Sequence, residues 1–372
     1  MRIAEVKLFP VRVKRRMLER YNRHIVMKVF TDEGLVGFGE ISDMEHTHYM
    51  PDVADLEWDL TQQLKEMDPF ERNAVIKKLS GLYGDWAYGN ETVAAVDFAL
   101  HDLTAKALGV PVNVLLGGRC RDRIPIAYPI FTRQTMDDVD GDMDRVRAVF
   151  DEGFSRIRIY VGVNLDADEE FLRRLRQEFG HELGIKSLDF SGRLHWKEAV
   201  PAIQRLYPYE FELVESIAKR AGGDTDWAGM GEARKRVLVP VSEHCPNFQT
   251  ARLLIENEAC DVFNITPISF GMTRAQQLFA LAKANGIKIL FGTTQELSIA
   301  TAAVAHMASS VEELHHPCDS VGPMLYEEDV VKDRVRYENG YLLVPTGPGL
   351  GVEIDDEKLR ELTGPISLRP DA

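Results

Sequence analysis

Apolar and polar positions change period along this chain, and each change marks an element. MRIAEVKLFPVRV and HIVMKVFTDEGLVGFGE place apolar side chains at about every second position, the spacing that sends successive residues to opposite faces of a sheet. The Asp-Glu-Gly between KVFT and LVGFGE reads as a hairpin turn. Helical spacing follows over about residues 52–66, 69–80 and 91–108, and Gly109-Val110-Pro111 ends the last helix.

From IPIAYPIF at 124–131 the pattern repeats. RIRIYVG, IKSLD, FELVE, VLVPVSEH, DVFNITPI and KILFGTT carry Tyr160, Asp189, Glu215, His244, Thr266 and Gly292 at or near their ends, at intervals of 22–29 residues. Each interval holds one strand, one helix and two loops, which predicts a parallel β/α barrel. The tail turns strand-like again in VRYENGYLLVP and GPGLGVEID, predicting a hairpin that pairs with the N-terminal region. The expected organisation is a discontinuous α+β cap, residues 1–123 plus 325–372, over a barrel of residues 124–324.

The C-terminal strand ends of such a barrel converge on one mouth. Asp189, Glu215 and His244 are therefore expected to meet there, and two carboxylates with an imidazole suit a divalent metal. An ion-pair network at the rim is the plain alternative.

Composition narrows the partners. The 372-residue chain carries a formal net charge of −15 with a pI near 5.2, which argues against nucleic acid or an anionic membrane. Cys120, Cys245, Cys260 and Cys318 show no CxxC spacing, and no apolar stretch reaches the length of about 18 residues that a membrane span needs. A cytoplasmic homo-oligomer acting on a small molecule is the expectation.

Several segments together carry a family resemblance: LVGFGE near 35–40, AAVDFALHDLTAKALGVPVNVLLGG at 94–118, GFSRIRIYVG at 153–162, LDFS at 188–191, LVES at 213–216, GTTQE at 292–296 and GYLLVPTGPGLGVEID at 340–355. In order and spacing they resemble the mandelate racemase and muconate-lactonising branch of the enolase superfamily. The resemblance implies a modified (β/α)7β barrel with an α+β capping domain, Mg²⁺, and abstraction of a proton α to a carboxylate. It places Asp189, Glu215 and His244 at the three metal positions. Glu243 competes with His244, since strand alternation lets only one point inward. Most relatives have Asp or Glu where His244 stands, and Lys-x-Lys where this chain has Arg158-Ile159-Tyr160.

Arginine stays protonated, so it is a poor base. A Tyr160 phenol beside Arg158 and a divalent cation would have its pKa lowered by both charges, making it a candidate general base. The alternative gives Arg158 to a substrate carboxylate and leaves Tyr160 a hydrogen-bond donor. Asn264, Thr266 and Gly292 stand where other branches place a second catalyst. A one-sided site favours elimination over racemisation, and the hydroxyls and amides of Asn264, Thr266, Thr293, Thr294 and Gln295 suit a polyhydroxylated substrate. Glu296 falls where relatives place a carboxylate near the substrate. In the cap, Asp43 and His46 of SDMEHTHY, with Thr294, are candidates for a second divalent cation, and Tyr88 of GLYGDWAYGN for the general acid. The combination most resembles the galactarate dehydratase subgroup. The expected activity is acid-sugar dehydration, with galactarate as substrate. A dehydratase for another mono- or diacid sugar, an epimerase or cycloisomerase, and a non-catalytic homologue are the alternatives.

Overall fold

The computed structural model describes residues 1–42, 44, 52–84, 89–218, 220, 221 and 224–364. Three strands open the chain: β1 (Ile3–Lys14), β2 (Tyr21–Thr31) and β3 (Val36–Ile41). They form an antiparallel sheet in the order β1-β2-β3, with Lys14 opposite Tyr21 and Ile25 opposite Ile41. The turn expected at Asp-Glu-Gly is present, and Gly34 takes φ +82° there.

Helices α1 (Val53–Leu64), α2 (Arg72–Tyr83) and α3 (Gly89–Leu108) follow. Leu56, Leu60, Leu64, Val75, Ile76 and Leu79 from α1 and α2 pack with Ile25, Met27 and Val29 of the sheet in one buried cluster. Helix α3 lies directly on β3 because two glycines leave it room. A Cβ at Gly37 would stand 2.2 Å from the Ala99 carbonyl oxygen, and one at Gly39 would stand 2.0 Å from that of Ala95. Neither gap admits a side chain. The LVGFGE segment is thus a packing device as well as a strand.

After the short helix α4 (Val112–Leu115) and strand β4 (Arg123–Pro125), strands and helices alternate. The order is β5 (Tyr128–Ile130), α5 (Asp138–Asp151), β6 (Arg156–Tyr160), α6 (Leu165–Phe179), β7 (Gly184–Asp189), α7 (Trp196–Leu206) and β8 (Leu213–Glu215). A two-residue-stranded hairpin, β9 (Arg220–Ala221) and β10 (Asp224–Thr225), precedes α8 (Trp227–Arg234). Then come β11 (Val241–His244), α9 (Phe248–Glu256), β12 (Val262–Ile265), α10 (Met272–Ala284), β13 (Lys288–Phe291) and α11 (Ser298–Ser310). The parallel sheet runs β5-β6-β7-β8-β11-β12-β13.

Residues 318 and 319 close it. The Asp319 amide donates to the Phe291 carbonyl at 2.9 Å, the Cys318 amide to Pro125 at 2.8 Å, and the Ala127 amide to Cys318 at 2.8 Å. The eighth place in the barrel is therefore filled by a stub between β13 and the β4–β5 segment. This is the mixed α/β architecture expected, with the strand ends converging as the repeat implied.

The expected C-terminal hairpin is β14 (Tyr337–Glu338) with β15 (Tyr341–Leu343), turned at Asn339 and Gly340, both at positive φ. An Asn-Gly pair is suited to that tight turn. The hairpin pairs with β4 rather than with β1–β3, while single bridges tie Tyr326 to Arg15, Gly349 to Pro111 and Thr363 to Val11. Helix α12 (Asp356–Leu362) follows it. All four cysteines are free thiols. Among the described residues no helix is long and apolar enough to cross a membrane.

Candidate active site

Strand register brings the candidate residues into one row. Tyr160 of β6 is opposite Asp189 of β7, Asp189 is opposite Glu215 of β8, and Glu215 is opposite Ser242 of β11, two residues before His244. Between β6 and β7 the register slips, with Ile157 opposite Ile185 but Arg158 opposite Ser187. Lys186 is the extra residue of that bulge. Bulges re-aim side chains, and here both Arg158 and Lys186 are buried beside the strand-end acids.

Arg158 is the hub. Its Nη2 donates to Asp189 Oδ2 at 2.5 Å and to Glu215 Oε1 at 2.6 Å, and Nη1 donates to Asp319 Oδ2 at 3.1 Å. Lys186 Nζ donates to the other oxygen of Asp319 at 2.6 Å. Asn264 Nδ2 donates to Glu215 Oε1 at 3.1 Å, and His244 Nε2 lies 3.3 Å from the same oxygen. The guanidinium carbon stands 4.8 Å from the centre of the Tyr160 ring, whose other neighbour is Phe131, stacked at 5.5 Å.

Burial and charge oppose each other throughout. Burial raises the Glu215 pKa, but Arg158 and His244 outweigh it and hold the carboxyl well below its ordinary range. For Asp189 burial wins over Arg158, and the pKa is raised. Burial lowers the His244 pKa, but the hydrogen bond and charge of Glu215 carry it above the usual histidine value. At Tyr160 burial pushes the phenol well up, and the Arg158 charge pulls it down without prevailing. The guanidinium alone does not make Tyr160 a ready phenolate.

The donor set suits a hard divalent cation, and one atom asks for it. Glu215 Oε2 is buried and has no hydrogen-bond partner among the described residues. As the side chains stand, however, no three His, Cys, Asp or Glu among the described residues are grouped to hold a metal. Arg158 Nη2 lies between the Asp189 and Glu215 oxygens instead. Asp189, Glu215 and His244 could hold the ion if that guanidinium edge moved. Glu243 is turned elsewhere: its Oε1 accepts from Ser216 Oγ at 3.0 Å and from the His244 amide at 2.8 Å.

Around the mouth, Asn264 Oδ1, Thr266 Oγ1 and Thr294 Oγ1 are buried with no partner among the described residues. A Cβ at position 292 would come within 2.2 Å of Asn264 Oδ1 and 2.5 Å of Thr266 Oγ1, so Gly292 is what lets both groups stand there. The neighbouring turn is occupied with itself. Glu296 is fully buried, and accepts from Thr293 Oγ1 at 2.6 Å, the Thr294 amide at 3.1 Å and Thr301 Oγ1 at 3.3 Å. Gln295, at φ +62°, bonds Arg15 through its side chain and Tyr326 through its carbonyl. In this placement Thr293, Gln295 and Glu296 build the turn that carries Thr294. Asp43, His46 and Tyr88 lie outside the described residues.

Two residues of the cluster escape the sequence pattern, Lys186 and Asp319. Lys186 follows an isoleucine in a run that alternation would turn toward the helices, and the bulge reverses it. Asp319 sits in HHPCDS, which has no strand-like apolar run. A lysine inside a buried strand was the available signal.

With fold and site in place, the comparisons with known proteins agree on a class. Residues 142–358 match the family described as Enolase C-terminal domain-like, and residues 2–117 match the Mandelate racemase / muconate lactonizing enzyme N-terminal domain. The chain belongs to the mandelate racemase/muconate lactonizing enzyme family of the enolase superfamily. It is similar to Muconate cycloisomerase 1 of Acinetobacter baylyi, 26% identical with 91% of each chain covered. It is also similar to the N-succinyl-L-Arg/Lys racemase of Bacillus cereus, 25% identical with 98% of each covered. Among solved structures, an isomerase from Streptomyces coelicolor A3(2) superposes with TM-score 0.85 at 27% identity, over 97% of this chain and 98% of that one. A mandelate racemase/muconate lactonizing family protein from Azoarcus sp. EbN1 gives 0.86 at 24% identity over 98% of both, a likeness of fold.

Proposed function

We propose that the protein is an acid-sugar dehydratase, a hydro-lyase that converts galactarate to a 2-keto-3-deoxy acid. The observation that carries this reading is the one-sided placement of Tyr160. Its ring lies against Arg158 in the row with Asp189 and Glu215, while β12 and β13 bring Asn264, Thr266 and Gly292 to the mouth in place of a second base. Racemisation needs an acid and a base on opposite faces of one carbon. Elimination needs a base at the α-carbon and an acid at the β-oxygen. The oxygens of Asn264, Thr266 and Thr294, without partners among the described residues, support a substrate with several hydroxyls, because each hydroxyl donates as well as accepts.

In this reading Asp189, Glu215 and His244 hold Mg²⁺, which when bound supplies a Lewis acid for the substrate carboxylate. Tyr160, as phenolate, takes the α-proton. The C–H electron pair becomes the Cα–Cβ double bond, the β C–O bond breaks, and its oxygen leaves as water with a proton from an acid, here Tyr88. The enol then tautomerises to the ketone. Arg158 stabilises the phenolate form and so opposes burial at Tyr160. Asp43, His46 and Thr294 would hold a second cation, whose charge would favour the distal carboxylate, and the cap, residues 1–123 and 325–372, covers the mouth of the 124–324 barrel.

The test is a panel of mono- and diacid sugars supplied with Mg²⁺ and assayed for 2-keto product. Galactarate should turn over, and the monoacid galactonate should be poorer. Asp43→Ala should raise KM for galactarate more than for galactonate. Lactonisation of muconate, or racemisation of an N-succinyl amino acid, without keto product from any acid sugar would replace this reading by the chemistry named for the relatives.

A further inference from the structure

Arg158 serves two sets of acids through two nitrogens. Nη2 bridges Asp189 and Glu215, the acids a divalent cation would take, and Nη1 reaches Asp319. Arg158, Lys186, Asp189, Glu215 and Asp319 are all at most 3% exposed, so solvent does little to screen them. A guanidinium nitrogen and a divalent cation cannot share the Asp189–Glu215 edge, because like charges that close in a buried site repel strongly. One must leave as the other arrives.

Asp319 offers the guanidinium somewhere to stay. Its amide is pinned to Phe291 at 2.9 Å, and its Oδ1 is held by Lys186 Nζ at 2.6 Å. It stands on the stub that closes the barrel, outside the Asp189, Glu215 and His244 trio. Rotation about the Nη1–Asp319 contact would carry Nη2 off the two acids without stranding a buried charge, which is the expensive alternative.

We propose that Arg158 and a divalent cation compete for the Asp189–Glu215 edge, and that Asp319, fixed by Lys186, is the positioning residue that retains Arg158 when the cation binds. In one setting the guanidinium neutralises the two acids. In the other the cation does, and Arg158 keeps Asp319 and its place over the Tyr160 ring. Losing Asp319 costs more in the second setting, where it is the acid left to Arg158, than in the first, where Asp189 and Glu215 still hold the guanidinium, and the cation affinity falls by that difference. The inference rests on the cation site of the proposed function and is independent of the substrate.

The experiment is a Mn²⁺ titration of the full chain without substrate, following free Mn²⁺ by electron paramagnetic resonance. Arg158→Met should bind Mn²⁺ about tenfold tighter, and Asp319→Asn about tenfold weaker, an ordinary size for directly coupled groups. The double variant should match Arg158→Met alone, since Asp319 acts only through Arg158. Equal weakening by Asp319→Asn in both backgrounds would make Asp319 a mere field charge and overturn the proposal. Weaker or unchanged binding by Arg158→Met would also overturn it, and that arm decides alone should Asp319→Asn fail to fold. Absence of Mn²⁺ binding from wild type and variants alike would remove the cation site itself. A failed substrate panel leaves the titration result standing.

Discussion

Two of the protein's groups of buried acids, one on helix α3 and one at the strand ends, are built in opposite ways. On α3, Asp102 accepts from the amides of Leu350 at 2.8 Å and Phe38 at 2.9 Å and from Lys106 Nζ at 2.5 Å. Asp97 accepts from the Thr273 amide at 2.8 Å and its hydroxyl at 2.7 Å, with His101 3.2 Å away. Backbone donors from distant segments fill these oxygens, so the acids tie the cap sheet, α10 and the tail to one helix. At the mouth the Ser191 amide holds Asp189 Oδ1 at 2.7 Å, but side chains with long reach do most of the pairing, Glu215 Oε2 has no partner among the described residues, and one guanidinium is spread over three carboxylates. A buried acid saturated by backbone holds structure. A buried acid left short of partners is available to a ligand.

The sharpest way to separate the two groups is to remove one side chain from each. Tyr160→Phe removes only the hydroxyl in the mouth. It should slow exchange of the galactarate α-proton with deuterated solvent by about 10²–10⁴-fold, the usual worth of a positioned base, while the denaturant midpoint and Mn²⁺ affinity stay put. Exchange at near the wild-type rate would move the base elsewhere. Asp102→Ala should do the reverse. It leaves Lys106 with the Val36 carbonyl in place of its carboxylate and takes the acceptor from the Leu350 and Phe38 amides, so the denaturant midpoint should fall by the equivalent of about 3 kcal/mol, with Mn²⁺ affinity of the folded fraction unchanged. A stable Asp102→Ala protein would show that its hydrogen bonds are replaceable by water.

Within the mouth, His244→Ala should weaken Mg²⁺ binding by about 10–100-fold and Glu243→Ala by much less. The reasoning is geometric. His244 Nε2 approaches the Glu215 oxygen, whereas Glu243 is occupied by Ser216 and the His244 amide. The opposite order would exchange the two assignments. Thorough chelation should abolish turnover, and full activity after it would end the cation-based reading.

Much of this contrast was legible before the structure. Regular intervals between strand-end residues predict the barrel, because period and spacing are set by local geometry. The order of Tyr160, Asp189, Glu215 and His244 around the mouth follows from it. What stayed hidden depends on departures from regularity. The bulge at Lys186 reverses a strand face, and the closing stub at Cys318–Asp319 has no apolar pattern to announce it. Glu296, expected near substrate, is enclosed by Thr293, Thr294 and Thr301, a matter of local turn geometry that no spacing rule contains. The weight of burial at Tyr160, which the Arg158 charge alone does not offset, is likewise a matter of packing that the sequence does not spell out.

The smallest effect concerns the structural side again, at His306 on α11. Its Nε2 lies 3.1 Å from the Leu350 carbonyl, on the same residue whose amide binds Asp102. Its Nδ1 is buried without a partner among the described residues, so a proton there would meet no acceptor. Burial accordingly depresses the imidazole from 6.5 to about 4, against a small opposing pull from Leu350. The unfolded chain therefore binds a proton between those values that the folded chain refuses. Stability attached to His306 is complete above about pH 6.5 and is lost as pH falls toward 4, by about 2 kcal/mol between pH 7 and 5. His306→Gln keeps a donor for Leu350 but has nothing to titrate. Its denaturant midpoint should change less than that of wild type between pH 7 and 5, and parallel curves for the two proteins would mean that His306 is charged in the fold.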